Sequence, residues 1–204
     1  MKPLMYVIFI IPMVCWSQLP GNSESINKKT PAKYPVQSGI ISYTVSGGAT
    51  GTATLYFDRN GWRALEHRTI QINRYGTMST EDRKELTDGD YIFKINLTSG
   101  SGEKAKDERW SGLMTYKSNA QAFEAIMVSR GGSKVGMDTL LGKPCNKWAF
   151  EKGPVSHLWV WQGIPLKVIK KLPGLSYEQT AVSFTENPQI EEVTFTLPEE
   201  VIWK

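Results

Sequence analysis

After Ser38 the chain alternates apolar and polar positions with period two in one short segment after another. Ile41, Tyr43 and Val45 alternate with Ser42, Thr44 and Ser46; beyond Gly47-Gly48, Ala53, Leu55 and Phe57 alternate with Thr52 and Thr54. Successive side chains of a strand point to opposite faces, so this is the pattern of half-buried strands. Asp58-Arg59-Asn60-Gly61 predicts a turn, because Asn and Gly tolerate positive φ. Trp62–Ile72 resumes with strand-forming composition and completes an antiparallel meander. Tyr91–Leu97 predicts a further strand with Tyr91, Phe93, Ile95 and Leu97 on one face.

The C-terminal half repeats the pattern. Leu141-Gly142-Lys143-Pro144 is a turn before a strand over Cys145–Phe150, and Glu151-Lys152-Gly153-Pro154 is the next turn. Val155–Trp161 and Ile164–Ile169 pair as a hairpin about Gln162-Gly163. Tyr177–Thr185 and Glu192–Thr196 are the remaining expected strands, with Val201-Ile202-Trp203 as a C-terminal anchor.

Two segments predict helix. Thr80–Leu86 is short and charged. In Asn119–Arg130, Ser118 as N-cap and Gln121 at the third helical position form a capping box. Ala122, Phe123, Ile126 and Met127 share one stripe, and Gly131-Gly132 supplies the stop. Roughly nine or ten strands and one or two helices make a mostly-β (α+β) domain, a large curved antiparallel sheet with helical cover. One such domain is expected over residues 38–204.

The residues before it read differently. Leu4–Val14 is an apolar run behind Lys2, and Cys15-Trp16-Ser17 puts small residues at −3 and −1 of a cleavage after Ser17. Residues 1–17 therefore read as a secretory signal peptide, too short for a bilayer span of about 20 residues. A lipoprotein acylated on Cys15 is the alternative, with Pro12, Val14 and Trp16 around the site in place of the usual aliphatic and small residues. Residues 18–37 are polar, carry Pro20, Pro31 and Pro35, and predict a flexible leader. The expected location is the periplasm or the outer membrane and its surroundings.

Charge excludes more than it assigns. The formal net charge is +4, with acidic and basic residues interspersed as in Glu81-Asp82-Arg83-Lys84-Glu85. No basic stripe marks a nucleic-acid partner. No later segment is apolar enough for a transmembrane helix.

Candidate chemistry is sparse. The two histidines, His67 and His157, stand in no metal-binding motif, and no GxSxG elbow is present. The Gly-rich pieces lie between strands or after a helix, outside a phosphate-loop setting. Cys145 reads as a buried small hydrophobe, with a reactive or intermolecularly paired thiol as the alternative. No catalytic residue, metal site or cofactor is expected. An enzyme assembled from distant residues would need His67 or His157 to meet carboxylates in a cleft.

The informative stretch is His157 to Lys167. In Leu158–Trp161 both faces of the strand are apolar, so it is either covered on both sides or faces a ligand cavity. Ser38–Tyr43, Gly51–Asp58, Gly142–Trp148, Trp159–Lys167 and the closing Phe195-Thr196-Leu197-Pro198, in that order, resemble the domain-of-unknown-function 4412 family of envelope proteins. That family is similar in plan to the periplasmic lipoprotein carriers LolA and LolB. The resemblance implies an unclosed β-barrel whose concave apolar face is lidded by helices and holds acyl chains. The carriers' lid-latching arginine has no identified counterpart in this chain.

The expected function is therefore non-enzymatic binding of an apolar ligand: a lipid, an acyl chain, or a hydrophobic or lipidated peptide segment. Expected wall residues are Tyr43, Leu55, Phe57, Phe93, Trp159, Trp161, Ile164 and Leu166. The alternative is a structural or protein-interaction module of the outer envelope, docking through strand edges or an aromatic patch.

Overall fold

The structure is a computed structural model and describes residues 32–107 and 118–204. The expected signal peptide, Cys15 and the expected leader up to Pro31 lie outside the described residues. Twelve strands and one α-helix are present among those described. The first meander is β1 (Gly39–Gly47), β2 (Ala49–Asp58), β3 (Arg63–Arg74), β4 (Thr77–Asp88), β5 (Tyr91–Asn96) and β6 (Ser101–Lys106). Helix α1 (Asn119–Ser129) follows. The second meander is β7 (Gly132–Leu140), β8 (Lys143–Phe150), β9 (Val155–Trp161), β10 (Ile164–Leu172) and β11 (Leu175–Glu186), and β12 (Ile202–Trp203) ends the chain.

All twelve strands form one sheet in the order β12-β6-β5-β4-β3-β2-β1-β11-β10-β9-β8-β7. The neighbours are antiparallel, apart from the short β12, which runs parallel to β6. The meanders run away from the β1–β11 seam in opposite directions, which leaves β6 and β7 near opposite ends of the sheet. Helix α1 lies in the connection between these two strands and covers one face of the sheet. The sheet does not close, since β7 and β12 are both edges. This is the expected mostly-β architecture, a curved unclosed barrel of the LolA/LolB kind with a covering helix.

Three strands separate β3 from β10, so a flat sheet would hold them about 19 Å apart. Yet Ile70 and Ile72 of β3 share a core cluster with Val45, Leu172, Leu175 and Tyr177. A methyl group at Gly174, in the β10–β11 turn, would overlap the ring of Tyr75, in the β3–β4 turn. The sheet is thus rolled until two hairpin tips meet. Register shifts at Ser42/Tyr43 and between Pro165 and Lys167 supply local bends. The extra residue of the second, Leu166, is fully buried in the main core with Ile41, Tyr43, Leu55, Phe57, Cys145, Trp159 and Ile164. Each such large side chain contributes about 2 kcal/mol by leaving water.

Helix α1 forms where the capping box predicts it, with Ser118 Oγ accepting from the Gln121 amide at 3.3 Å. Its stripe packs on β8 and β9: Met127 is buried with Trp148 and Val160, flanked by Phe123, Ile126 and Leu158. The other face of β9 carries Trp159 into the main core beside Cys145. Both faces of Leu158–Trp161 are apolar because both are covered.

Two expected elements change type. Thr80–Leu86 is no helix but the centre of β4, paired to β3 through its whole length. Its charges suit a strand because partners on β3 take them up on both faces. Glu192–Thr196 is no strand; Glu192–Phe195 is a 3-10 turn. Phe195 pins that turn to Leu65 and Leu86, and Arg63 reaches both Glu192 and Asp58. The end of the expected leader, where described, is docked: the Tyr34 amide donates to Asn60 O at 2.8 Å, and its ring lies 4.8 Å from Phe57.

Candidate functional site

The rolled sheet and α1 line a half-open cavity of about 700 Å³. Its walls follow from strand register. Tyr43 stands opposite Ala53, Ala53 opposite Arg68, and Arg68 opposite Arg83. On the next row Leu55 stands opposite Glu66 and Glu66 opposite Glu85. Opposed residues share a face, so the concave surface is apolar on β1 and β2 and charged on β3 and β4. On the other side of the seam Gln179 stands opposite Val168, and Val168 opposite Leu158. The cavity therefore has an apolar wall of Tyr43, Leu55, Phe123, Ile126, Leu158 and Val168. Its other wall is polar, with Glu66, Arg68, Arg83, Glu85, Lys94 and Gln179. Nine Lys and Arg against four Asp and Glu line it among the described residues, so the interior is net positive.

The eight expected wall residues divide. Tyr43 and Leu55 line the cavity. Phe57, Trp159, Ile164 and Leu166 are buried in the main core, with Trp161 packed against it. Phe93 packs beside Leu65, Leu86 and Phe195, with its ring centroid 5.8 Å from that of Trp203. Trp159 is further held by an Nε1–H bond to Asp138 at 3.2 Å.

Charges on the polar wall are paired along one cross-strand diagonal and between second neighbours on the same strand. Arg68 Nη2 donates to Glu81 at 2.6 Å, and Arg68 Nη1 lies 3.8 Å from Glu66. Arg83 reaches the second oxygen of Glu81 at 3.4 Å. Burial, followed by the nearby Arg68 charge, lowers the Lys170 ammonium from its usual range. Burial, then the Glu66 charge, pushes the Tyr43 phenol well above 10.0; its hydroxyl donates to Pro165 O at 2.8 Å. Among the described residues two buried side-chain atoms lack a protein hydrogen-bond partner, Arg68 Nε and Gln179 Oε1, and both residues line this cavity.

These polar residues escaped the reading of the sequence. Their signal was present: Glu66 and Arg68, then Glu81, Arg83 and Glu85, repeat charge every second residue, the spacing that puts all of them on one face of a sheet.

Chemistry outside the cavity is slight. His67 Nε2 lies 2.8 Å from Asp82, yet the pair is on the convex face, with side chains 40% and 35% exposed, and neither residue lines the cavity. His157 touches Ser156 Oγ at 3.4 Å. Cys145 is fully buried, its thiol donates to Lys143 O at 3.4 Å, and burial raises its pKa. Among the described residues no group of three or more His, Cys, Asp or Glu is placed to hold a metal ion. No helix among them is long and apolar enough to cross a membrane.

No family model and no curated protein matches this chain. Solved structures do. An uncharacterized conserved protein from Thermus thermophilus superimposes with a TM-score of 0.50 at 8% identity, over 86% of this chain and 95% of that one. PNGF-II matches with a TM-score of 0.49 at 9% identity, over 82% of this chain and 32% of that one. MucB matches with a TM-score of 0.43 at 12% identity, over 85% of this chain and 62% of that one. The likeness to the Thermus protein is one of fold.

Proposed function

We propose that this protein is exported to the cell envelope and binds an apolar ligand without transforming it. The ligand is a lipid, an acyl chain or a hydrophobic peptide segment, and it lies in the concave face beneath α1. The observation that carries this reading is the cavity of about 700 Å³ whose lining includes Tyr43, Leu55, Phe123, Ile126, Leu158 and Val168. Its volume falls within the roughly 300–1,000 Å³ of small-molecule sites. The signal-peptide pattern of residues 1–17 supports the same reading.

The test is binding of a fluorescent fatty acid to the purified protein and to Val168→Trp, which pushes an indole into the cavity from β10. Saturable binding that weakens about tenfold or more in the variant supports the reading. Binding that ignores the variant, or no binding at all, removes it.

One observation favours a second reading, protein docking by strand addition. Edge strand β7 is exposed from Ser133 to Thr139, with Val135 at 52% and Met137 at 68% exposure. An envelope protein captured only when β7 is intact, with the cavity empty, would favour it.

A further inference from the structure

Buried polar groups are almost always hydrogen-bonded, and each exception calls for a partner. Two exceptions occur among the described residues, and both belong to the cavity wall. Gln179 is only 4% exposed, yet its Oε1 accepts from no protein group among the described residues. Its flanks cannot help: Val45 and Val168 stand opposite it on the neighbouring strands and offer only methyl groups on that face. Arg68 turns one terminal nitrogen to Glu81 and the other toward Glu66, and its Nε–H donates to no protein group among the described residues. The Gln179 oxygen wants a donor and the Arg68 Nε–H wants an acceptor. Lys170, one diagonal step from Gln179, adds a cation, and the lining as a whole is net positive.

We propose that the polar wall at Gln179, Arg68 and Lys170 recognises the head of an acyl ligand that carries an anion and, beside it, an N–H or O–H donor. The anion meets Arg68 Nε–H and the Lys170 ammonium, and the donor meets Gln179 Oε1. The chain of the ligand lies along Leu158, Val168 and Ile126. This rests on the apolar-ligand reading above and adds the chemistry of the head. A purely hydrocarbon ligand would leave both groups unsatisfied, a penalty worth about tenfold in affinity for each.

The test uses two probes of equal length below their micelle concentrations, N-dodecanoylglycine and its ester isostere O-dodecanoylglycolate. Both carry the chain and the carboxylate, and only the amide carries the donor. Titration calorimetry on the full chain should show the amide binding about tenfold tighter. In Gln179→Leu, which keeps an apolar neighbour for Val45 and Val168, the two probes should bind alike. The neutral N-dodecanoylglycinamide should bind the unsubstituted protein more weakly than N-dodecanoylglycine. Equal binding of amide and ester, or a preference that survives Gln179→Leu, overturns the head-group assignment and leaves the apolar-ligand reading standing. Failure of all three probes overturns both.

Discussion

Arg68 Nη2 lies 2.6 Å from Glu81, two residues along β4 from its direct cross-strand partner, Arg83. The neighbouring direct pair is also like-charged, Glu66 opposite Glu85. Like charges in direct opposition destabilise a sheet. The diagonal contact to Glu81 offsets this, and Glu81 serves Arg83 with its other oxygen. One carboxylate thus holds two arginines on the polar wall.

The consequence is an asymmetry between two neighbouring carboxylates. Glu81→Gln leaves Arg68 against Arg83 without a shared anion and is expected to cost about 2 kcal/mol. Glu85→Gln removes a repulsion from Glu66 and is expected to cost less or to stabilise. Urea unfolding of the two variants checks the order.

Tyr43 predicts an alkaline limit to stability. Its folded pKa is raised by burial and by the Glu66 charge above the ordinary 10.0. The folded state therefore holds its proton where the unfolded chain releases it. That contribution is full below pH 10 and is lost as the pH rises through the folded pKa. Tyr43→Phe is expected to cost about 1 kcal/mol at pH 7, through the bond to Pro165 O, and to flatten the alkaline decline. Urea midpoints measured across pH 8–11 separate the two effects.

The rolled shape predicts a difference between two glycines. Gly142 and Gly174 have nearly the same backbone, φ +72 and +70, but only Gly174 meets a neighbouring side chain, Tyr75. Gly142→Ala is expected to cost about 1 kcal/mol from backbone strain alone. Gly174→Ala should cost more, and on a Tyr75→Ala background it should fall back to the Gly142→Ala value. Thermal unfolding of the four variants reads the tip-to-tip contact directly.

Arg63 predicts how the C-terminal segment is held. Its guanidinium bonds Asp58 and Glu192 and sits 4.1 Å over the Phe195 ring. The Arg63 bond holds the Glu192 carboxyl below its usual range. Arg63→Ala is expected to cost about 2 kcal/mol and to speed proteolytic cleavage near Glu192, while cleavage at the β7–β8 turn stays unchanged.

Local patterns carried much of the fold. The alternations at Ile41–Val45 and Ala53–Phe57, the Gln162-Gly163 turn and the Ser118 capping box each mark an element that formed there. They are signals whose cause lies within a few residues. β4 escaped because its charges resemble a solvated helix, and only the partners on β3 make them a strand. The candidate site was legible at two of its apolar positions. Tyr43 and Leu55 line the cavity, but Phe57 and Leu166 share their apolar character and face core, because register shifts and sheet curvature decide which apolar residue meets the cavity. Arg68 and Gln179 carry no local signal of a site; only the rolled sheet brings β3 and β11 around one cavity.

Native mass spectrometry of the protein purified from an envelope fraction, followed by organic extraction, tests the central claim most directly. The expected result is a stoichiometric mass shift from a co-purifying acyl compound, lost in Val168→Trp. A protein that is empty from every preparation, and that also leaves fluorescent fatty acids unbound, would contradict the claim and turn attention to the exposed edge at β7.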